Sequence, residues 1–256
     1  NRNRFKMPHS SRQLADNLYC YIWQGRGNNC NTCLFANVLR GERPHVIIDP
    51  GSIVNELREP CFNSLVLAMQ RDGFKVEDIG LIINTHTHPD HCEAVEMMVE
   101  KSRQKGGKGK VSQTLIALSR EEEEFHRTVG ERMFSMLGSK VPQFEPFIYL
   151  GEGELTLGKE KKINLQILFT PGHSPGSISL YWADRKVLIP GDVVFYGGVG
   201  RTDLPGGSMT VLKQSIDRLS KLEVEYVVPG HLTEYGGIIE GRERVERNFQ
   251  AVKILI

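Results

Sequence analysis

Residues Asn84-Thr85-His86-Thr87-His88-Pro89-Asp90-His91 place three imidazoles and a carboxylate within six positions, directly after the apolar run Ile79–Ile83. Buried without compensation, these groups would repel when protonated and would lose their hydration. A divalent cation relieves both problems by accepting their lone pairs. In an extended chain, residues two apart project to the same side, so His86, His88 and Asp90 are expected to face one cavity. Pro89 disfavours the helical region for His88 and keeps the segment extended. His91 breaks the alternation and needs a turn to join the others. One ion can use His86 and His88, and a second Asp90 and His91. A polar loop of hydrogen-bonded histidines is the plainer alternative.

The second half repeats one device three times. Leu168-Phe169-Thr170 leads to Pro171-Gly172-His173, Val187-Leu188-Ile189 to Pro190-Gly191-Asp192, and Tyr226-Val227-Val228 to Pro229-Gly230-His231. Each reads as an apolar strand, then Pro-Gly, then a side chain able to bind metal. Proline ends strand pairing and glycine permits a sharp turn, so the next residue is presented at the strand's carboxyl end. A single Pro-Gly-His is weak, because turns are rich in Pro-Gly. Three at strand ends, beside a His-rich loop at a fourth, form a constellation.

The elements that must position these residues are short. Leu18–Trp23, Cys33–Leu39 and Val46–Asp49 read as strands, the last ended by Asp49-Pro50-Gly51. Cys61–Gln70 has helical spacing through Leu65, Ala68 and Met69, and Arg71-Asp72-Gly73 stops it. Strand Ile79–Ile83, the His-rich loop and a helix around Cys92–Ser102 follow. Ser102–Lys110, with four lysines or arginines and three glycines, reads as a solvated linker. Leu115–Leu118 reads as a strand. Arg120–Leu137 reads as a helix whose acidic Glu121–Glu124 suit its N-terminal dipole, with Met133, Phe134, Met136 and Leu137 apolar. The segment from there through Phe147 is expected either to cover a substrate or to pack as an ordinary surface helix. Glu240–Ile256 reads as an amphipathic closing helix, with Val245, Phe249, Val252 and Ile256 on one side.

At 256 residues, 39% hydrophobic and 25% charged, the chain fits a globular protein that can bury its own core. A net charge of +1 gives no field to gather nucleic acid or acidic membrane. No apolar stretch approaches the ~20 residues needed to span a bilayer. Asn1–Ser11 is polar and basic, unlike a secretory signal. Cys20, Cys30, Cys33, Cys61 and Cys92 are odd in number and irregular in spacing, which argues against a secreted disulfide framework. Cys30-Asn31-Thr32-Cys33 lacks a second CxxC for zinc and reads as a turn entering a strand, with redox chemistry the alternative. The expectation is a cytoplasmic protein acting on a small-molecule substrate, without nucleic acid or membrane, with a homodimer allowed.

Together these residues resemble the metallo-β-lactamase superfamily, whose pattern is HxHxDH followed by His, Asp and His, each at a strand end. The resemblance spans about residues 18–250. It implies a single α/β domain over residues 1–256 with the αββα four-layer sandwich: two mixed sheets face to face, helices outside and the site along one edge. A helical insertion falls at about 119–149. The resemblance also implies two metal positions. His86, His88 and His173 would hold the first ion and Asp90, His91 and His231 the second, with Asp192 bridging through its two oxygens. Zinc is the metal implied first, with iron or manganese as alternatives. Some lactamases carry Cys where Asp192 stands, and flavodiiron proteins carry Glu where His88 stands, so both branches are disfavoured. No clamp domain of the RNA-cleaving branches is evident. The run Gly200-Arg201-Thr202-Asp203-Leu204-Pro205-Gly206-Gly207 is similar to that of glyoxalase II-like hydrolases and persulfide dioxygenases. Glyoxalase II proper holds glutathione with a helical region beyond the last His. Only 25 residues follow His231, which points away from glutathione.

The chemistry implied is that of a dinuclear metal hydrolase. Two ions sharing a water lower its pKa, so bridging hydroxide becomes the nucleophile. Asp90 is placed to orient it, and one ion stabilises the oxyanion. No general acid accompanies the seven ligands, which favours a leaving group that departs unprotonated. A thiol, with pKa ~8.5, meets that condition. Thioesters, as in hydroxyacylglutathione hydrolases, therefore rank ahead of other esters and lactones. The alternative is a mononuclear iron persulfide dioxygenase built on His86, His173 and Asp192. A non-catalytic binding protein would leave the whole set idle. Tyr196 and Arg201 follow Asp192 closely enough to touch substrate, with an exposed Arg and a packed Tyr the plainer reading. Asp49 is placed either to hydrogen-bond a ligand His or simply to form a turn. Cys92 reads as a thiol buried at a helix start, and His9, His45 and His126 belong to no motif.

Overall fold

Period-two alternation of apolar residues builds two sheets whose inner faces meet. In the computed structural model, which describes residues 8–103, 114–158 and 162–256, seven strands form the first sheet in chain order. They are β1 (His9–Ala15), β2 (Leu18–Trp23), β3 (Thr32–Phe35), β4 (His45–Ile48), β5 (Ile79–Ile83), β6 (Leu115–Leu118) and β7 (Ile148–Tyr149). β1 to β4 pair antiparallel, and β4 to β7 pair parallel. The chain continues through β8 (Gly153–Leu157), β9 (Ile163–Phe169), β10 (Ile178–Trp182) and β11 (Val187–Ile189). A small ribbon, β12 (Val194–Phe195) and β13 (Gly198–Val199), precedes β14 (Tyr226–Val227) and β15 (Ile239–Glu240). The second sheet has the order β15-β14-β11-β10-β9-β8, with β11 and β14 parallel.

Between the sheets, Leu18, Cys20 and Ile22 of β2 and Val46 and Ile48 of β4 join Ile178, Leu180 and Trp182 of β10 in one apolar layer. The alternate residues Tyr21, Leu34, Ile47 and Ile82 face outward. They are covered by α1 (Cys61–Arg71) and, beyond the one-turn α2 (Pro89–Cys92), by α3 (Val95–Arg103). α4 (Arg120–Phe125) and α5 (Glu131–Met136) add Phe125, Met133 and Phe134 to that layer. On the far side, Tyr181, Leu188 and Val227 pack under α6 (Met209–Leu219) and α7 (Arg242–Ile254). The result is the four-layer αββα sandwich. Each fully buried large apolar side chain contributes about 1.5–3 kcal/mol, so the layer between the sheets holds the site's scaffold rigid.

Several expected elements differ in extent. Pairing of β3 stops at Phe35, short of Leu39, where Asn37 turns the chain with φ 57°. The helix expected around Cys92–Ser102 is split into α2 and α3, because Ala94 N is drawn to Gly51 O at 2.9 Å. Arg120–Leu137 is interrupted by a π turn at His126–Gly130. Glu240 belongs to β15, so the closing helix starts at Arg242 and ends at Ile254. Part of the polar N-terminal stretch forms β1, with His9 buried. Of the expected linker, Ser102 and Arg103 close α3 and the rest lies outside the described residues. All five cysteines are buried free thiols. Among the described residues, no helix is long and apolar enough to cross a membrane.

Candidate metal centre

Four strand ends converge on one edge of the sandwich. The His-rich run leaves β5 extended, and Pro89, a good first residue for a helix, starts α2 with His88 as its N-cap. That single turn carries Asp90 and His91 round to the side occupied by His86 and His88. His173, Asp192 and His231 follow β9, β11 and β14, each directly after its Pro-Gly. Gly172 has φ 132°, which L side chains rarely adopt, and a Cβ there would overlap the backbone of α6 at Leu212. At Gly230 a Cβ would overlap Asp192 Oδ1, so only glycine lets the His231 loop close over that carboxylate. Backbone bonds lash the loops together: Asn31 N donates to Gly230 O at 2.6 Å, Gly230 N to Gly191 O at 2.9 Å, and Ile178 N to Thr85 O at 2.9 Å.

One donor atom each from His86, His88 and His173 lies within 4.8 Å of the others, and the same holds for Asp90, His91 and His231. His88 Nδ1 and His173 Nε2 are 2.7 Å apart, and His91 Nε2 and His231 Nε2 are 3.3 Å apart. Asp192 sits between the groups. Its Oδ2 is 3.4 Å from His173 Nε2 and 3.1 Å from His231 Nε2, and its Oδ1 is 3.1 Å from His91 Nε2. Tetrahedral zinc with nitrogen donors at ~2.0–2.1 Å separates neighbouring donors by roughly 3.4 Å. His86 Nε2 is buried with no hydrogen-bond partner. A cation would satisfy it. The donor set therefore fits metal, in two positions joined by Asp192.

The far sides of the rings are held as well. Asp49, at φ 53°, accepts from Thr85 N at 2.8 Å and from Thr85 Oγ1 at 2.6 Å, and its Oδ2 is 2.9 Å from His91 Nδ1. Thr85 Oγ1 is in turn 3.1 Å from His86 Nδ1. His173 Nδ1 donates to Arg201 O at 2.7 Å and His231 Nδ1 to Asn29 O at 3.1 Å. Such contacts fix the tautomer that turns Nε2 inward. Burial holds His86 and His173 below the usual histidine range and lowers His88 to about 3. Burial acts in the same direction on His91 and His231, but carboxylates overcome it. Asp192 and Asp49 raise His91, and Asp192 and Asp90 raise His231 to about 10. Burial would raise Asp90 and Asp192, yet the facing imidazoles hold both well below the usual carboxylate range. The edge is thus a pair of carboxylates in a ring of imidazoles, an arrangement that a cation charge completes.

Above the donors opens a cavity of about 380 Å³, lined by Asn28, His88, Asp90, His173, Asp192 and His231 on its polar side and by Leu137, Phe195, Val199, Leu204 and Arg201 elsewhere. Leu137 is the residue that brings the segment after α5 to the site. Tyr196 does not line this cavity. Phe195, the last residue of β12, faces His231 at 5.6 Å between ring centroids, while Tyr196, in the turn that follows, packs toward Tyr235 in an outer groove beside α7. Arg201 does reach the cavity, but its guanidinium is paired with Asp203 through two 2.7 Å bonds. Its carbonyl, not its charge, touches a ligand histidine. Two contributors have no counterpart in the sequence motifs. Asn28 donates from Nδ2 to Asp90 Oδ2 at 2.8 Å, and the buried Glu122 of α4 contacts both ligand loops. The acidic run at 121–124 was the only sequence signal near Glu122, and it marked a helix start rather than a site. His9, His45 and His126 lie outside the cluster.

Comparison with known proteins agrees with this edge. The chain matches the family model of the metallo-β-lactamase superfamily over residues 31–231. It is 34% identical to probable metallo-hydrolase MJ0888 of Methanocaldococcus jannaschii, over 81% of this chain and 89% of that one. It is 30% identical to acyl-coenzyme A thioesterase MBLAC2 of Homo sapiens, over 82% and 75%. It is also 30% identical to hydroxyacylglutathione hydrolase GloC of Haemophilus influenzae, over 68% and 73%. The solved structure of TTHA1623 in a di-iron-bound form superposes with a TM-score of 0.58 at 29% identity, over 82% of this chain and 93% of that one. The family and these relatives support a metal-dependent hydrolase. On the four-layer fold, the seven donors at four strand ends and the matched span, the chain belongs to the metallo-β-lactamase superfamily.

Proposed function

We propose that this protein is a two-metal hydrolase that cleaves thioesters. The observation that carries the reading is the placement of Asp192, whose two oxygens lie 3.1–3.4 Å from ring nitrogens of both donor groups. A pair of divalent ions, zinc first, supplies Lewis acidity there and an activated water when bound. His86, His88 and His173 would hold one ion, Asp90, His91 and His231 the other, with Asp192 shared. Asp90 faces the cavity with Asn28 Nδ2 and His231 Nε2 both on its Oδ2, so it is placed to orient a proton of the attacking water. The apolar wall of Leu137, Phe195, Val199 and Leu204 gives an acyl group a place opposite the donors. No further acid among the described lining residues stands ready to protonate a leaving group. A thiolate, from a thiol of pKa ~8.5, departs without that help more readily than an alkoxide. The kinship with an acyl-coenzyme A thioesterase and a hydroxyacylglutathione hydrolase supports the same substrate class.

The test is anaerobic reconstitution of the metal-free protein with zinc, iron or manganese. Thioester hydrolysis and persulfide-dependent oxygen uptake are then followed in parallel. Two equivalents of metal with thioester turnover are expected. His88→Ala and His231→Ala should each retain about one equivalent and lose hydrolysis. One equivalent of iron with oxygen uptake and no hydrolysis would overturn the proposal in favour of a persulfide dioxygenase.

A further inference from the structure

We propose that Glu122 is a positioning residue that fixes the spacing of the first metal position by tying its two ligand loops to one rigid carboxylate. The inference rests on the reading of His86, His88 and His173 as ligands of one ion. Glu122 is fully buried in the first turn of α4. Its Oε1 accepts from Thr87 N at 2.7 Å and Thr87 Oγ1 at 2.9 Å. Its Oε2 accepts from Ser174 Oγ at 2.7 Å and Gly176 N at 2.9 Å. Thr87 lies between His86 and His88, and Ser174 directly follows His173. Each oxygen therefore serves one loop, and the fixed separation of two carboxylate oxygens sets how far apart the loops stand.

The anchor is itself held. Ser119 Oγ caps α4 by accepting from Glu122 N at 3.1 Å and donates to Gly176 O at 2.6 Å. A Cβ at Gly176 would overlap the backbone at Glu122, so the helix start rests directly on the His173 loop. A buried carboxylate persists only when its lone pairs are filled. Here four uncharged donors fill them, and all four come from the two ligand loops. Burial is unfavourable for such a group, and a fold that needed only a helix start would gain nothing from it. The consequence falls on His88 Nδ1 and His173 Nε2, which stand 2.7 Å apart with the loops held this way. Groups that orient metal ligands in this manner are typically worth 10- to 100-fold in metal affinity.

The test uses the full chain, stripped of metal and titrated with cobalt(II) against a competing chelator, so that both binding steps and the visible spectrum are read without any substrate. Glu122→Gln keeps the shape but offers an amide N–H to donors that need an acceptor. One of the two binding steps is expected to weaken 10- to 100-fold, with an altered cobalt spectrum, while the other step is unchanged. Glu121→Gln, an exposed charge on the same turn, should leave both steps as in the wild type. Should Glu122→Gln fail to fold, Thr87→Val and Ser174→Ala each remove one contact and should weaken that same step in part. Wild-type affinities at both steps in every folded variant would overturn the proposal, as would a lowered melting temperature without selective loss at one step. If the wild-type protein itself bound no cobalt, the metal reading would fail instead, and the two failures are told apart.

Discussion

Asp49→Asn is the sharpest perturbation of the site. Asn tolerates the left-handed backbone that position 49 adopts at φ 53°, so the turn survives. The carboxylate now meets three donors: Thr85 N on Oδ1, and Thr85 Oγ1 and His91 Nδ1 on Oδ2. An amide offers one oxygen and one NH2. With its oxygen toward His91, the NH2 faces Thr85 N–H, and a buried donor goes unsatisfied at about 1–3 kcal/mol. With its NH2 toward His91, the ring must accept at Nδ1 and carry its proton on Nε2, the atom that faces Asp192 and His231. Thr85 Oγ1 then loses its acceptor and no longer fixes His86. The second arrangement should cost 10- to 100-fold in metal affinity, about 1.4–2.8 kcal/mol. Either way the loss is of similar size. Chelator competition reads the affinity, and the melting temperature of the metal-free protein reads the stability. Unchanged affinity together with unchanged melting temperature would refute the tautomer argument.

Other expectations follow from the same geometry. Gly230→Ala forces a methyl group against Asp192 Oδ1 and should abolish metal retention and hydrolysis while circular dichroism stays native. If thioesters are the substrate, as proposed, Leu137→Ala should raise KM for apolar acyl thioesters about 3- to 10-fold with kcat unchanged, because Leu137 belongs to the apolar cavity wall and not to the donor set. His9 supplies a pH test away from the metal. Burial and then Arg71 lower it to about 3 from 6.5, so the unfolded chain binds its proton first as pH falls. Its contribution is whole above pH 6.5 and drains away toward pH 3, by of order 1 kcal/mol per pH unit. Comparing melting temperatures of wild type and His9→Asn between pH 7 and 5, the wild type should lose more stability. Parallel curves would refute this.

The donors were legible in sequence because each announces itself locally. His86, His88, Asp90 and His91 crowd one loop, and His173, Asp192 and His231 each follow an apolar strand and a Pro-Gly. Of the strands that lead to donors, β5 and β11 keep the bounds that their apolar runs imply, as do β2 and β6 elsewhere in the first sheet, whereas β9 starts earlier and β14 stops one residue sooner. Helix interruptions were less legible. The π turn at His126–Gly130 and the break between α2 and α3 answer to tertiary contacts, such as Ala94 N on Gly51 O, that no local pattern carries.

What orients the donors was mostly hidden, and the reason is distance along the chain. Thr85 and Asp49 are 36 residues apart, Glu122 and Ser174 52, and His231 and Asn29 202. A ligand must have a particular side chain, so it leaves a mark in the sequence. An orienting group need only be an acceptor at the right place, and at Arg201 and Asn29 it is a backbone carbonyl, which every residue possesses. Tyr196 shows the converse. Its position soon after Asp192 suggested substrate contact, with a packed Tyr the plainer reading, and in the turn after β12 it packs toward Tyr235 while Phe195 lines the cavity. Residue identity thus marks the candidate donors, while contacts between remote segments of the chain hold them in place, and those contacts leave no local pattern to read.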